Sequence, residues 1–150
     1  MALTDNATNG RSVKEAYGRG KLTLTAACEV GDLLTKAGAL ADGNSGANKA
    51  DWVALEFAAS GVEIEVAKIA VIGGLTGCTL GDTAYLSDTA GGYSATTGTV
   101  TQVVGQALSA TDVLVMPNWS GGMPNTVIDD ALFGIGTNQT ARLSWDTTDA

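Results

Sequence analysis

The sequence predicts a mainly β fold, a small barrel or sandwich of short antiparallel strands with an extended N-terminal arm and a C-terminal tail. Three observations predict it. Apolar residues alternate singly with polar ones over much of the chain, the period of a half-buried strand. Turn signals built on glycine interrupt that alternation at short intervals, from Gly31-Asp32 to Gly91-Gly92. Large core-filling side chains are scarce: 5% of the 150 residues are aromatic, whereas 20 residues are glycine.

Residues 1–20 are polar, punctuated by glycine and without a clean period, which predicts an arm. One short helical turn fits there, from Ser12 to Tyr17, with Ser12 as N-cap and Glu15 at the capping-box position. From residue 21 to 117 the pattern is that of a β domain. Leu22 and Leu24 alternate with Thr23 and Thr25, Glu29 to Leu34 begins a second element at the Gly31-Asp32 turn, and residues 38–49 form a Gly/Ala/Asn loop. Val53, Leu55 and Phe57 share one strand face. After a Ser60-Gly61 turn, Val62, Ile64 and Val66 share another. Lys68 to Ile72 continues as a more buried strand, stopped at Gly73-Gly74. Thr83 to Ser87 and Tyr93 to Thr97 form a hairpin turning near Gly91-Gly92, where a positive φ would exclude a β-branched side chain. Thr99 to Leu108 and Val113 to Met116 make a further pair, and Pro117, with no N–H to donate, ends the sheet.

Residues 118–150 read as a linker followed by a tail. The tail's apolar set, which includes Phe133 and Trp145, is too small for a core of its own. It is expected to pack on a partner or a neighbouring subunit. No internal repeat is evident.

Composition narrows the function. Charged residues make up 16% of the chain, against about 25% in an average globular protein. The surface must therefore be built from Thr, Ser, Asn, Gly and Ala, which suits a protein packed against neighbours. Sixteen acids against eight bases give a net charge of −8 without histidine, a balance that argues against phosphate-neutralising contacts to nucleic acid. Four of the eight bases, Arg11, Lys14, Arg19 and Lys21, fall within the first 21 residues.

No apolar run approaches the ~20 residues needed to span a bilayer, so no membrane partner is expected. The N-terminus shows neither a basic n-region nor an apolar h-region, and synthesis in a cytoplasm without a signal peptide is expected. Cys28 and Cys78 are too few for a disulfide scaffold. Set among small and apolar neighbours, they are expected to be buried free thiols.

Motifs that carry chemistry are missing their essential members. Gly18-Arg19-Gly20-Lys21 has Glu15 and Leu22 where a phosphate loop needs Gly and Ser or Thr. A chain without histidine has no His-dependent triad or zinc site. Glu63 and Glu65 share the solvent side of their strand, and the Asp42-to-Asp51 loop lacks the ligand series of a calcium site. No catalytic, cofactor or metal site is expected, and the chain is expected not to be an enzyme.

Several segments resemble another kind of protein. They are Val66-Ala67-Lys68-Ile69-Ala70-Val71-Ile72-Gly73-Gly74, Gly81-Asp82-Thr83-Ala84-Tyr85-Leu86, the Gly-Gly turn with its Thr-rich return strand, and Val103-Val104-Gly105-Gln106-Ala107-Leu108. Together they resemble the capsid cement, or head-decoration, proteins of tailed bacteriophages, over roughly residues 21–117. The segment Leu132-Phe133-Gly134-Ile135-Gly136, followed by Leu143-Ser144-Trp145-Asp146, is similar to stretches of phage fibre and head proteins.

The resemblance implies a virion protein on the capsid surface that binds the major capsid protein and copies of itself, in a closed ring such as a trimer. It implies no cofactor. Arg11, Lys14 and Arg19 of the arm and Trp119, Phe133 and Trp145 of the tail are the residues expected to contact partners. Other roles compatible with the sequence are a head-fibre, tail or baseplate component, and a bacterial surface or carbohydrate-binding β module.

Overall fold

A computed structural model of the chain describes residues 10–118. The tail, and with it Trp119, Phe133 and Trp145, lies outside the described residues, as do residues 1–9. Over these residues the fold is mainly β, one antiparallel sheet of eight strands curled into a half-barrel. The strands are β1 (Ser12–Thr23), β2 (Leu33–Leu34), β3 (Trp52–Ala54), β4 (Glu63–Gly73), β5 (Thr83–Leu86), β6 (Tyr93–Ser94), β7 (Val103–Ala107) and β8 (Val113–Val115). One turn of 3-10 helix, Gly46–Asn48, interrupts the loop before β3.

Strand β4 organises the sheet. Along one edge it pairs with β1 over nearly its whole length, from Ser12 opposite Gly73 to Thr23 opposite Glu63. Its other edge is shared: β3 takes the first half, with Val53 opposite Ala67, and β8 the second, with Ala70 opposite Val115. The sheet continues from β3 to β2, and from β8 through β7 and β5 to β6.

This arrangement corrects the N-terminal expectation. The segment read as an arm to residue 20 is, from Ser12 onward, a twelve-residue strand, and Ser12 to Tyr17 is extended rather than helical. Its apolar period is hidden because Gly20 occupies an inward position, because Gly18 at φ +68° breaks the ladder, and because Lys14 is bulged out of register between Val13 and Glu15.

The core follows from alternation along β4. Ile64 and Val66 enter one apolar cluster with Leu24, Leu34 and Ala54. Ala70 and Ile72 enter a larger one with Leu33, Val53, Leu86, Val104, Val113 and Val115. Lys68 holds the position between Val66 and Ala70. It stays half-buried by running its stem over Trp52, with Nζ 3.8 Å from the ring centroid, to reach Asp51 Oδ2 at 2.8 Å. Cys28 and Cys78 are both buried free thiols.

Phe57 departs from its expected place. Strand β3 ends at Ala54, and Phe57 stands 70% exposed in the connection to β4. The two-residue alternation of Val53-Leu55-Phe57 is real, but a sheet register involves only the residues that find a partner.

Four connections use one turn. In each, a carbonyl accepts from the N–H three residues on: Glu29 from Asp32, Ala59 from Val62, Thr79 from Asp82 and Thr89 from Gly92. The third residue is Gly31, Gly61, Gly81 or Gly91, at φ of +83°, +88°, +91° and +77°. A type II turn requires positive φ there, which is why glycine recurs. At the hairpin, therefore, Gly91 carries the constraint and Gly92 does not. Two of the turns match further, as Cys28-Glu29-Val30-Gly31-Asp32 and Cys78-Thr79-Leu80-Gly81-Asp82. In both, the aspartate also accepts the N–H of the residue after the cysteine, Glu29 at 2.7 Å and Thr79 at 3.1 Å. The chain thus contains a short repeat that its overall pattern conceals.

Candidate interaction surface

The three basic residues predicted to contact partners all lie on or just before β1, and the fold gives them different fates. Arg11, immediately before the strand, is buried, with a side chain 1% exposed. Its guanidinium pairs with Asp32 Oδ1 and donates to the carbonyls of Gly31 at 3.1 Å and Gly91 at 3.3 Å. It also lies over Tyr93, whose hydroxyl donates to the same Gly31 carbonyl at 2.6 Å. The cluster joins the start of β1 to two of the glycine turns. Arg11 is therefore an internal tie and not a surface contact in this body. The sequence could not show it, because Asp32 and Gly91 are 21 and 80 residues away.

Lys14 and Arg19 remain at the surface. Lys14, the bulged residue, donates to Asp112 Oδ2 at 2.8 Å in the β7–β8 connection. That bond, before any other cause, holds the Asp112 carboxyl below its ordinary range. Arg19 Nη1 lies 3.1 Å from Glu65 Oε1 on β4, with both side chains largely exposed. Such pairs contribute little to stability because water screens them.

The geometry brings more to this surface than those two bases. Residues along β1 alternate between the faces of the sheet. Ala16, Gly20 and Leu22 are half-buried, whereas Glu15, Tyr17, Arg19 and Lys21 are exposed. Tyr17 is 57% exposed, and its hydroxyl donates to Glu15 Oε1 at 2.8 Å, which raises its pKa. The face is thus a row of acid, aromatic, base, base.

Strand β1 is also an edge of the sheet. Among the described residues it pairs with β4 alone. Leu24 sends its N–H to Val62 on the β4 side, while Thr25 sends its own the other way, to Gly38. Leu24 and Val62 continue the register of the β1–β4 ladder. Alternation therefore turns the N–H and C=O of Arg19 and Lys21 away from β4, and it is interrupted at Gly18, whose φ is +68° and which has no partner in the ladder. The outer edge of β1 is thus short, bounded by the Gly18 irregularity and by Gly38, whose carbonyl accepts from Thr25 at 2.9 Å.

Other features of the surface are dispersed. Phe57 and Leu80, the most exposed large apolar residues among those described at 70% and 73%, sit apart, in the β3–β4 connection and in the turn before β5. Among the described residues no group of three or more potential metal ligands gathers, and no helix is long and apolar enough to cross a membrane. Comparison with family models, with curated proteins and with solved structures finds no match to this chain.

Proposed function

We propose that the chain is a virion structural protein, a capsid cement or decoration protein that binds the assembled head of a tailed bacteriophage and stabilises it. The observation that supports this most is the resemblance carried by residues 66–74, 81–86 and 103–108. In the fold these are most of β4, one glycine turn with β5, and β7, so the similar segments are the framework of one sheet and not scattered loops. A compact β body with a weakly charged surface suits a protein that lies against others. Binding only the assembled shell would favour that shell by mass action.

A carbohydrate-binding role has less to draw on. Sugar modules stack on exposed aromatic rings, and Trp52 is half-buried with one ring face covered by Lys68.

The experiment is electron microscopy of purified particles of the virus that encodes the chain, with antibody raised against residues 10–118. Label at regular positions on the outer surface of the head is expected. Label confined to the tail or baseplate, or absent from particles, would sink the proposal.

A further inference from the structure

The β body is one unit built twice. In its first half Leu33 and Leu34 of β2 face Val53 and Trp52 of β3, and Val53 and Ala54 face Ala67 and Val66 of β4. In its second half Thr83 and Ala84 of β5 face Gln106 and Gly105 of β7, and Gln106 and Ala107 face Leu114 and Val113 of β8. One correspondence serves every pair: 33–34 with 83–84, 52–54 with 105–107, and 66–67 with 113–114. It extends to the strand before each turn. Arg19 and Gly20 of β1 lie opposite Ala67 and Val66, as Val71 and Ile72 of β4 lie opposite Leu114 and Val113. Strand β4 therefore closes the first unit and opens the second. The cores agree: Cys28, Leu34, Ala54 and Val66 share one cluster, and Cys78, Ala84, Ala107 and Val113 share the other.

The two Cys-x-x-Gly-Asp turns are equivalent in backbone. Gly31 donates to Ala54 and Ala54 to Asp32, as Gly81 donates to Ala107 and Ala107 to Asp82, all at 2.8–2.9 Å. Their surroundings differ. Residues 29–33 are buried or half-buried, whereas residues 79–83 are all exposed. Over the first turn lies Arg11, whose guanidinium takes Asp32 Oδ1 and the Gly31 carbonyl. Its Cδ is 3.3 Å from where a Cβ on Gly31 would stand, but a Cβ on Gly81 meets nothing within 4 Å. Asp82 accepts the Thr79 N–H through Oδ2, as Asp32 accepts that of Glu29, and among the described residues none donates to Asp82 Oδ1. The Gly81 carbonyl takes Gln106 Nε2 at 3.3 Å, where that of Gly31 takes both Arg11 and Tyr93.

We infer that the turn at residues 79–83 is a docking site for an arginine of a partner protein, received as its twin receives Arg11. The guanidinium bridges Asp82 Oδ1 and the Gly81 carbonyl. Its planar fork suits two neighbouring oxygens better than the point charge of a lysine does. Leu80, 73% exposed, and Leu108, 42% exposed and next to the Ala107 that Gly81 bonds, supply apolar contact around it. The net charge of −8 favours a basic partner. Both described arginines are already engaged, Arg11 inside the body and Arg19 with Glu65. That the partner is the capsid shell rests on the role proposed above.

The test titrates purified heads that lack the chain with the full-length chain, measuring occupancy after the heads are pelleted. Asp82→Asn keeps an acceptor for Thr79 and should bind at least tenfold more weakly than wild type. Leu80→Ser should also bind more weakly. Glu63→Gln makes the same change of net charge at the start of β4, away from this turn, and should bind as wild type does. Thermal melting by circular dichroism checks that each variant is folded. Treating the heads with phenylglyoxal, which modifies arginine, should abolish binding, whereas acetylating their lysines should leave most of it.

Equal occupancy by wild type and Asp82→Asn overturns the inference and leaves the capsid role standing. A wild-type chain that binds no head overturns both. A loss that Glu63→Gln shares reports general charge and overturns the site, as does binding lost to lysine acetylation but not to phenylglyoxal. Self-association of the free chain that Asp82→Asn abolishes would place a second copy on the turn, and overturns the inference too.

Discussion

Replacing Gly91 by alanine separates two costs that glycine turns usually combine. Gly61, Gly81 and Gly91 occupy the same place in the same turn, at similar positive φ. A Cβ on Gly61 or Gly81 meets nothing within 4 Å, whereas on Gly91 it falls 2.8 Å from Asp32 Oδ1 and 2.9 Å from its Cγ. Gly61→Ala and Gly81→Ala therefore report the backbone cost alone, about 1–2 kcal/mol for a left-handed L-residue.

Gly91→Ala adds a collision that cannot relax freely. Asp32 is held by Arg11 through Oδ1 and by the Glu29 N–H through Oδ2, and Gly91 itself donates to Ala41 at 2.7 Å. Either the carboxylate or the turn must move, with the loss of at least one charge-assisted bond, for a further ~2 kcal/mol. At about 4–8 °C per kcal/mol for a domain of this size, thermal denaturation should place Gly91→Ala roughly 8–16 °C below Gly61→Ala. If the three variants melt together, the Asp32 carboxylate is not where it has been placed, and the Arg11 tie is wrong with it.

The remaining predictions concern that tie and the thiols. Arg11→Met, which removes the guanidinium from a buried pair, should lower stability by about 3–5 kcal/mol in urea unfolding, whereas Arg19→Ala should change it by no more than about 0.5 kcal/mol. Deleting residues 1–19 should unfold the body, because it removes Arg11 and most of β1. A folded, cooperative deletion product would contradict the pairing of β1 with β4. Burial, ahead of the nearby carboxylates, pushes the Cys28 thiol up to about 11, and burial also raises Cys78. Both should resist a thiol reagent at neutral pH and react at once in denaturant. For Cys28 the folded value lies above the unfolded one, so its contribution to stability is complete below about pH 9 and is lost as pH rises towards 11.

Local chemistry was legible from the residues. The turns at Gly31, Gly61, Gly81 and Gly91, the strands that follow them and the stop at Pro117 depend on φ preferences and alternation within a few positions. These are properties a residue carries with it. The matching Cys-x-x-Gly-Asp turns were legible too, but five residues recurring once are below the scale at which repeats are usually sought.

What only the tertiary structure decided is pairing at a distance. Residues 12–20 look like an arm, because glycine and charge mask the strand period. They become a strand because β4, some fifty residues later, presents a free edge long enough to take them. Arg11 looks like a surface base and is buried because the fold sets Asp32 and two turn carbonyls around it. The row Glu15, Tyr17, Arg19, Lys21 could be written down from the sequence. That it lies on the outer face of a strand at the edge of the described sheet depends on which of β4's edges each other strand occupies. Single-residue preferences cannot set that, since every strand carries donors and acceptors alike and the choice among them is made by packing.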